Sequence, residues 1–162
     1  MCKNDGIDGL FTSASRAGQL PDGNVLAYAP VQRAAMRHLQ EWMVAGTPPP
    51  SQPRLEIDPG PPAALVRDEW GNALGGIRVP DLAVPIAAHH GLREGDPHAS
   101  LAGRSTPFSE AQLRERYPSR QAFLDAYAGA IDDAVAAGVL LPDDTDTLRT
   151  RAWHVADAFI TW

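Results

Sequence analysis

Residues 64–85 read Ala-Leu-Val-Arg-Asp-Glu-Trp-Gly-Asn-Ala-Leu-Gly-Gly-Ile-Arg-Val-Pro-Asp-Leu-Ala-Val-Pro, and the rest of the chain is arranged about them. Two short apolar runs, 64–66 and 77–79, flank Glu69-Trp70-Gly71-Asn72. A Gly-Asn pair between β-forming segments predicts a hairpin turn, because both residues tolerate a positive φ. Gly75 and Gly76 fall where the second strand should be regular, which predicts a bulge or a close approach by another backbone. Pro80 and Pro85 bracket Leu82-Ala83-Val84 as an extended edge segment lacking an amide donor at each proline. The segment 64–88 is therefore expected to be a β-hairpin and edge segment.

Upstream, residues 1–29 show no sustained hydrophobic period and are read as an irregular lead-in. Pro30 suits the first turn of a helix, and Val31, Ala34, Ala35, His38, Leu39 and Trp42 recur at helical spacing. This predicts an amphipathic helix over 30–46 that ends near Ala45 with Gly46 as its cap. Its face of Val31, Leu39 and Trp42 needs a partner. Residues 47–63 contain seven prolines between Pro48 and Pro62, which favours a polyproline II strap. Leu55 and Ile57 alternate inside it, as though the strap touched apolar surface at two points.

Downstream, residues 104–162 form a helical tail. Ser109 and Gln112 make a capping-box signature with Phe108 as the staple before it, and the helix they open stops before Pro118. Ser119 opens the next helix, where Ala122, Phe123, Ala126, Tyr127, Ala130, Ile131 and Ala134 repeat up to a stop at Gly138. Asp143 or Asp144 is expected to cap a last helix carrying Leu148, Ala152, Val155, Ala156 and Phe159 on one face. The fold class is α+β, mostly helical with one β-hairpin.

Composition excludes several function classes. The net charge of -6 combines 14 basic and 20 acidic residues, and the basic ones are scattered, which argues against nucleic-acid binding. Cys2 is the single cysteine, so the chain builds neither a disulfide framework nor a thiolate metal site. No apolar run approaches the roughly 18 residues of a membrane helix, and residues 1–8 lack a signal-peptide core. The chain by itself is expected to stay in the cytoplasm and off membranes.

Candidate chemistry is sparse. His89, His90, Asp96 and His98 are metal-ligand types, but adjacent histidines on an extended segment face opposite ways and the loop has no fixed ligand spacing, so no metal site is assigned. Ser105, in Gly103-Arg104-Ser105-Thr106-Pro107, lacks the Gly-x-Ser-x-Gly elbow that presents a nucleophile, and that motif occurs nowhere in the chain. His38 lies on an apolar stripe, as a hydrogen-bonded core or interface histidine does. Asp143 and Asp144 are explained by a helix start. No hydroxyl and imidazole are expected within hydrogen-bond reach of each other, so no catalytic residue is named.

The order of segments is nonetheless distinctive. Residues 34–50 (Ala-Ala-Met-Arg-His-Leu-Gln-Glu-Trp-Met-Val-Ala-Gly-Thr-Pro-Pro-Pro), then 65–80, then Ser105-Thr106-Pro107-Phe108, then 134–142 (Ala-Val-Ala-Ala-Gly-Val-Leu-Leu-Pro), together resemble the C-terminal part of a little-characterised family of α/β-hydrolase-domain proteins. The resemblance spans residues 23–152. It implies a serine-esterase-like parent whose nucleophile elbow, acid and histidine precede the tryptophan-containing helix. No histidine precedes His38 here, so the implied reading is a C-terminal portion of an α/β-hydrolase-type protein with no activity by itself and no cofactor. The helix over 30–46 would be the last of the hydrolase core, and the tail would pack on that core. Arg104, Ser105, Thr106 and Phe108 would then wall a pocket for a small-molecule ester. The Val31, Leu39 and Trp42 face would meet the hydrolase core or a protein partner. The alternative is a stand-alone, non-catalytic protein-interaction module.

Overall fold

The computed structural model describes residues 23–92 and 103–160. Its elements are α1 (Tyr28–Ala45), β1 (Ile57–Asp58), β2 (Ala64–Leu65), α2 (Pro80–Ala83), β3 (Ala87–His90), β4 (Arg104–Pro107), α3 (Glu110–Arg116), α4 (Arg120–Ala136) and α5 (Thr145–Phe159), with a 3-10 turn at Pro142–Asp144. Among the described residues there are two small antiparallel sheets, β1–β2 and β3–β4, beside these helices. The class is α+β.

Most of the core belongs to the tail, with Val79, Val84 and Ile86 joining it from around α2. Phe123, Tyr127 and Ile131 of α4 are fully buried, and α5 contributes Leu148, Ala152, Val155 and Ala156. The two helices pack side by side, with α2 against α4. Each large apolar side chain taken out of water there is worth about 1.5–3 kcal/mol. Tyr117 joins edge-on to the Phe123 ring at 5.1 Å, and its hydroxyl donates to the Pro85 carbonyl at 2.9 Å. Burial, opposed by nearby Arg116, pushes that phenol up to about 12.

The local signals of the tail are realised. Ser109 and Gln112 close the reciprocal capping box of α3, and the Ser119 side chain accepts the Ala122 amide at the start of α4. Gly138 ends the apolar run with φ +70. Asp144 holds the cap position of α5, yet its side chain makes no cap bond. The carboxylate turns to Arg33 of α1 instead, accepting from Nε at 3.0 Å and Nη2 at 2.5 Å. A charge-assisted pair outcompetes a single neutral cap.

The central stretch departs from the predicted hairpin. Its turn exists: Asp68 Oδ1 accepts the amides of Trp70 and Asn72, and Gly71 takes φ +83. The strands around it differ. Ile57 pairs with Leu65 and Asp58 with Ala64, while single bridges join Arg67 to Ala73 and Leu55 to Gly75. The Glu56 amide donates to Leu74, Leu74 to Val66 and Val66 to Glu56. Three segments thus bond each other around a triangle, leaving little open edge. The segment at Leu55 and Ile57 supplies one side of that triangle, and both side chains stay exposed. Residues 77–79 form no strand, and the expected edge segment at Leu82 is the short helix α2, opened by Pro80.

The two glycines meet their predicted close approach. A Cβ on Gly75 would lie 2.2 Å from the Arg54 carbonyl oxygen, and its φ is +70. Gly75→Ala should therefore cost about 2 kcal/mol. Gly129→Ala, in the interior of α4 with open space around it, should instead stabilise by about 0.5–1 kcal/mol. Urea midpoints of the two variants should move in opposite directions.

Helix α1 begins two residues before Pro30 and ends at Gly46, whose amide donates to Trp42 with φ +71. Only Pro30 and Ala34 are buried. Leu39 and Trp42 are 45% and 52% exposed, and Met43 is 78% exposed. Among the described residues, no helix is long and apolar enough to cross a membrane.

Candidate functional site

Residues 87–88 close the expected edge segment, His89 and His90 open the expected loop and 104–107 begin the expected helical tail, but 87–90 and 104–107 pair as β3 and β4, with Ala87 opposite Pro107, Ala88 opposite Thr106, His89 opposite Ser105 and His90 opposite Arg104. Strand alternation buries Ala87 and His89 on one face and leaves Ala88 and His90 half-buried on the other. Cross-strand pairing then brings His89 Nδ1 to 2.9 Å from Ser105 Oγ. A hydroxyl and an imidazole are thus in contact, contrary to the sequence reading, because that reading had no signal for the pairing.

The outer edge of β3 is closed by a side chain. Asn72, fully buried, accepts the His89 amide at 2.8 Å and donates to the Ala87 carbonyl at 3.1 Å. Its amide group does what a neighbouring strand would do. The residue that marks a turn in the sequence is also the link between the triangle and β3.

Behind His89 lies a buried ion pair. Arg151 of α5 grips Asp81 of α2 with Nε to Oδ1 at 3.2 Å and Nη2 to Oδ2 at 3.1 Å. The Tyr127 hydroxyl donates to Asp81 Oδ1 at 2.7 Å, and the Ala27 amide donates to Oδ2 at 2.9 Å. Arg151 Nη2 also donates to the Val25 carbonyl at 2.8 Å. Burial alone would raise the Asp81 carboxyl, but the Arg151 charge and the four hydrogen bonds outweigh it and hold Asp81 below its ordinary value. Burial and the Asp81 charge push Tyr127 well up. A cavity of about 20 Å³, the size of one water, lies among Asp81, His89, Tyr127 and Arg151.

This setting decides what His89 can do. Burial pushes its imidazole down to about 4; the Asp81 carboxylate opposes that, and the Arg151 and His90 charges add to it. A base that weak is a poor proton acceptor near neutrality. Ser105 Oγ also accepts the Val25 amide at 3.1 Å. The pair has the composition of a nucleophile and base and the environment of a structural clamp.

The other residues expected to wall a pocket lie on β4 and just after it. Arg104 and Thr106 are exposed on β4. Phe108 lies against Trp70 with ring centroids 5.3 Å apart, and the Arg116 guanidinium sits 4.9 Å over Trp70. Asp96, His98 and Cys2 fall outside the described residues, and among the described residues no group of three or more His, Cys, Asp or Glu is arranged to hold a metal. His38 fits its sequence reading, with Nε2 2.9 Å from the Gly138 carbonyl. It borders an apolar groove of about 260 Å³ between α1, Pro49-Pro50, Ile77 and Val139.

The sequence marks Asn72 only as a turn residue and Tyr127 only as a core residue, and it assigns no role to Asp81 or Arg151. Arg151 carried a signal: with Leu148, Ala152 and Val155 it lies on the apolar stripe of α5, where a charge requires a buried partner. Nothing local identifies Asp81 as that partner.

No curated protein and no solved structure matches the chain. Residues 10–150 match the family model described as alpha/beta hydrolase domain. With most of its length matched, and with the segment order set out above, the chain belongs to the alpha/beta hydrolase domain family.

Proposed function

We propose that this chain is the C-terminal part of a serine-esterase-like hydrolase, which packs on and shapes a catalytic core and has no activity by itself. The observation that carries this reading is the outward apolar face of α1, where Leu39, Trp42 and Met43 stand exposed beside a groove of about 260 Å³. A contiguous apolar surface of this kind marks an interaction site. Small-molecule substrates suit the hydrolase family, and in this reading an ester reaches the core next to the strand of Arg104, Ser105 and Thr106, with Phe108 following it.

Two measurements test it. The purified chain should hydrolyse short-chain nitrophenyl esters no faster than buffer; turnover lost in Ser105→Ala would overturn the reading. Added to the catalytic core of a full-length family member, the chain should bind and change its substrate preference, and Trp42→Ala should weaken binding at least tenfold. The self-contained packing of α4 on α5 favours a second reading, a stand-alone module that binds a protein on the same face. Failure to bind any hydrolase core, with a sharp single unfolding transition, supports that second reading.

A further inference from the structure

Residues 24–27 enter α1 through a seat built by other elements. Ser105 Oγ accepts the Val25 amide, Arg151 donates to the Val25 carbonyl and Asp81 accepts the Ala27 amide. Asn24 Nδ2 donates to the His90 carbonyl at 3.4 Å. Three of these bonds are made to main-chain groups of the arriving segment, at one residue and at the residue two further on. That is how an extended strand is held.

Beyond the seat the attachment to the described residues is thin. Among the described residues, all buried members of the hydrophobic core cluster lie between Val79 and Ile160, whereas α1 buries Pro30 and Ala34. Leu26, Ala27 and Val31 pack partly against the core. The rest of α1 is tied by polar contacts, Arg33 to Asp144 and His38 to the Gly138 carbonyl. Its last turn carries Met43 and Val44, 78% and 82% exposed, and leads through left-handed Gly46 to Pro48-Pro49-Pro50.

We propose that residues 24–45 form one detachable arm, seated on the helical core by the main-chain receptacle of Ser105, Asp81 and Arg151, and that the arm releases as a unit while the core stays folded. Regions with few buried apolar contacts open at lower free energy than the core, and contiguous segments open together. Release carries the Leu39 and Trp42 face away from the tail, so the seat sets where that face points. This is a property of the chain alone and does not depend on a hydrolase core.

Native-state hydrogen exchange read by mass spectrometry tests it on the full chain. Amides of residues 32–45, past the first turn of α1, should share one protection level, at least tenfold lower than that of 123–134 in α4. Ser105→Ala removes one main-chain anchor and should speed exchange across 25–45 about fivefold, leaving 123–134 unchanged. Asn24→Ala touches neither the ion pair nor the His89 ring and should act in the same direction over the same residues. Three results would overturn the proposal: equal protection of the arm and α4, a graded fraying from Ala45 toward Tyr28, or variants that accelerate both regions alike.

Discussion

Between about pH 7 and pH 4 the folded chain should lose about 3 kcal/mol of stability through His89 alone. In the folded state its pKa is lowered from 6.5 to about 4, because burial beneath the β3–β4 sheet disfavours the imidazolium. In that window the unfolded chain binds a proton at this position and the folded chain does not. Stability is therefore complete above 6.5, falls as the pH drops toward 4, and stops falling below it. Asp81 acts in a separate window. Its folded value lies below 3.8, so its contribution is lost only at more acidic pH. Urea unfolding followed by tryptophan fluorescence across this range measures the slope. His89→Gln keeps a neutral polar side chain beside Ser105 and should remove most of the slope. An unchanged slope in His89→Gln would show that the loss comes from other groups.

Breaking the Asp81–Arg151 pair should cost still more. Both side chains are about nine-tenths buried, so Arg151→Met leaves the Asp81 carboxylate without this counter-charge, and Asp81→Asn takes the Asp81 charge away from the guanidinium. Uncompensated buried charge costs about 3–5 kcal/mol, a fall of about 10 °C in Tm for a chain of this size. Asp81 also receives the Tyr127 hydroxyl and the Ala27 amide, so its loss loosens α4 and the entry to α1 together. The double variant Asp81→Asn/Arg151→Met should be less damaging than the sum of the singles, by at least about 2 kcal/mol, because it removes both charges. Thermal melts of the four proteins decide this. Strict additivity would mean that the pair is not coupled.

These two sites show where sequence reading stops. Local signals carry their own physics, so they were legible: the Ser109–Gln112 box, the Ser119 cap, the Gly138 and Gly46 stops and the apolar stripe of α4 each involve residues within a few positions of one another. The close approach at Gly75 was legible too, since two adjacent glycines in a β-forming run have little other use. The family was also readable, from the order of segments across 23–152. What could not be read is pairing across long separations. Residues 87–90 and 104–107 have no alternating apolar pattern, so nothing marked them as strands, and the contact of His89 with Ser105 exists only because those strands meet in register. Leu55 joins Gly75, and Asp81 finds Arg151 seventy positions away, for the same reason. By itself the sequence determined the longer helices, the Ser109 and Ser119 caps, the tight turn at Gly71 and family membership, which depend on neighbours along the chain. Only the tertiary structure decided that a serine and a histidine touch, that the imidazole is held neutral, and that one buried carboxylate ties α2, α4, α5 and the entry to α1 together. Those outcomes depend on desolvation and on distance in space, and neither is written in local sequence.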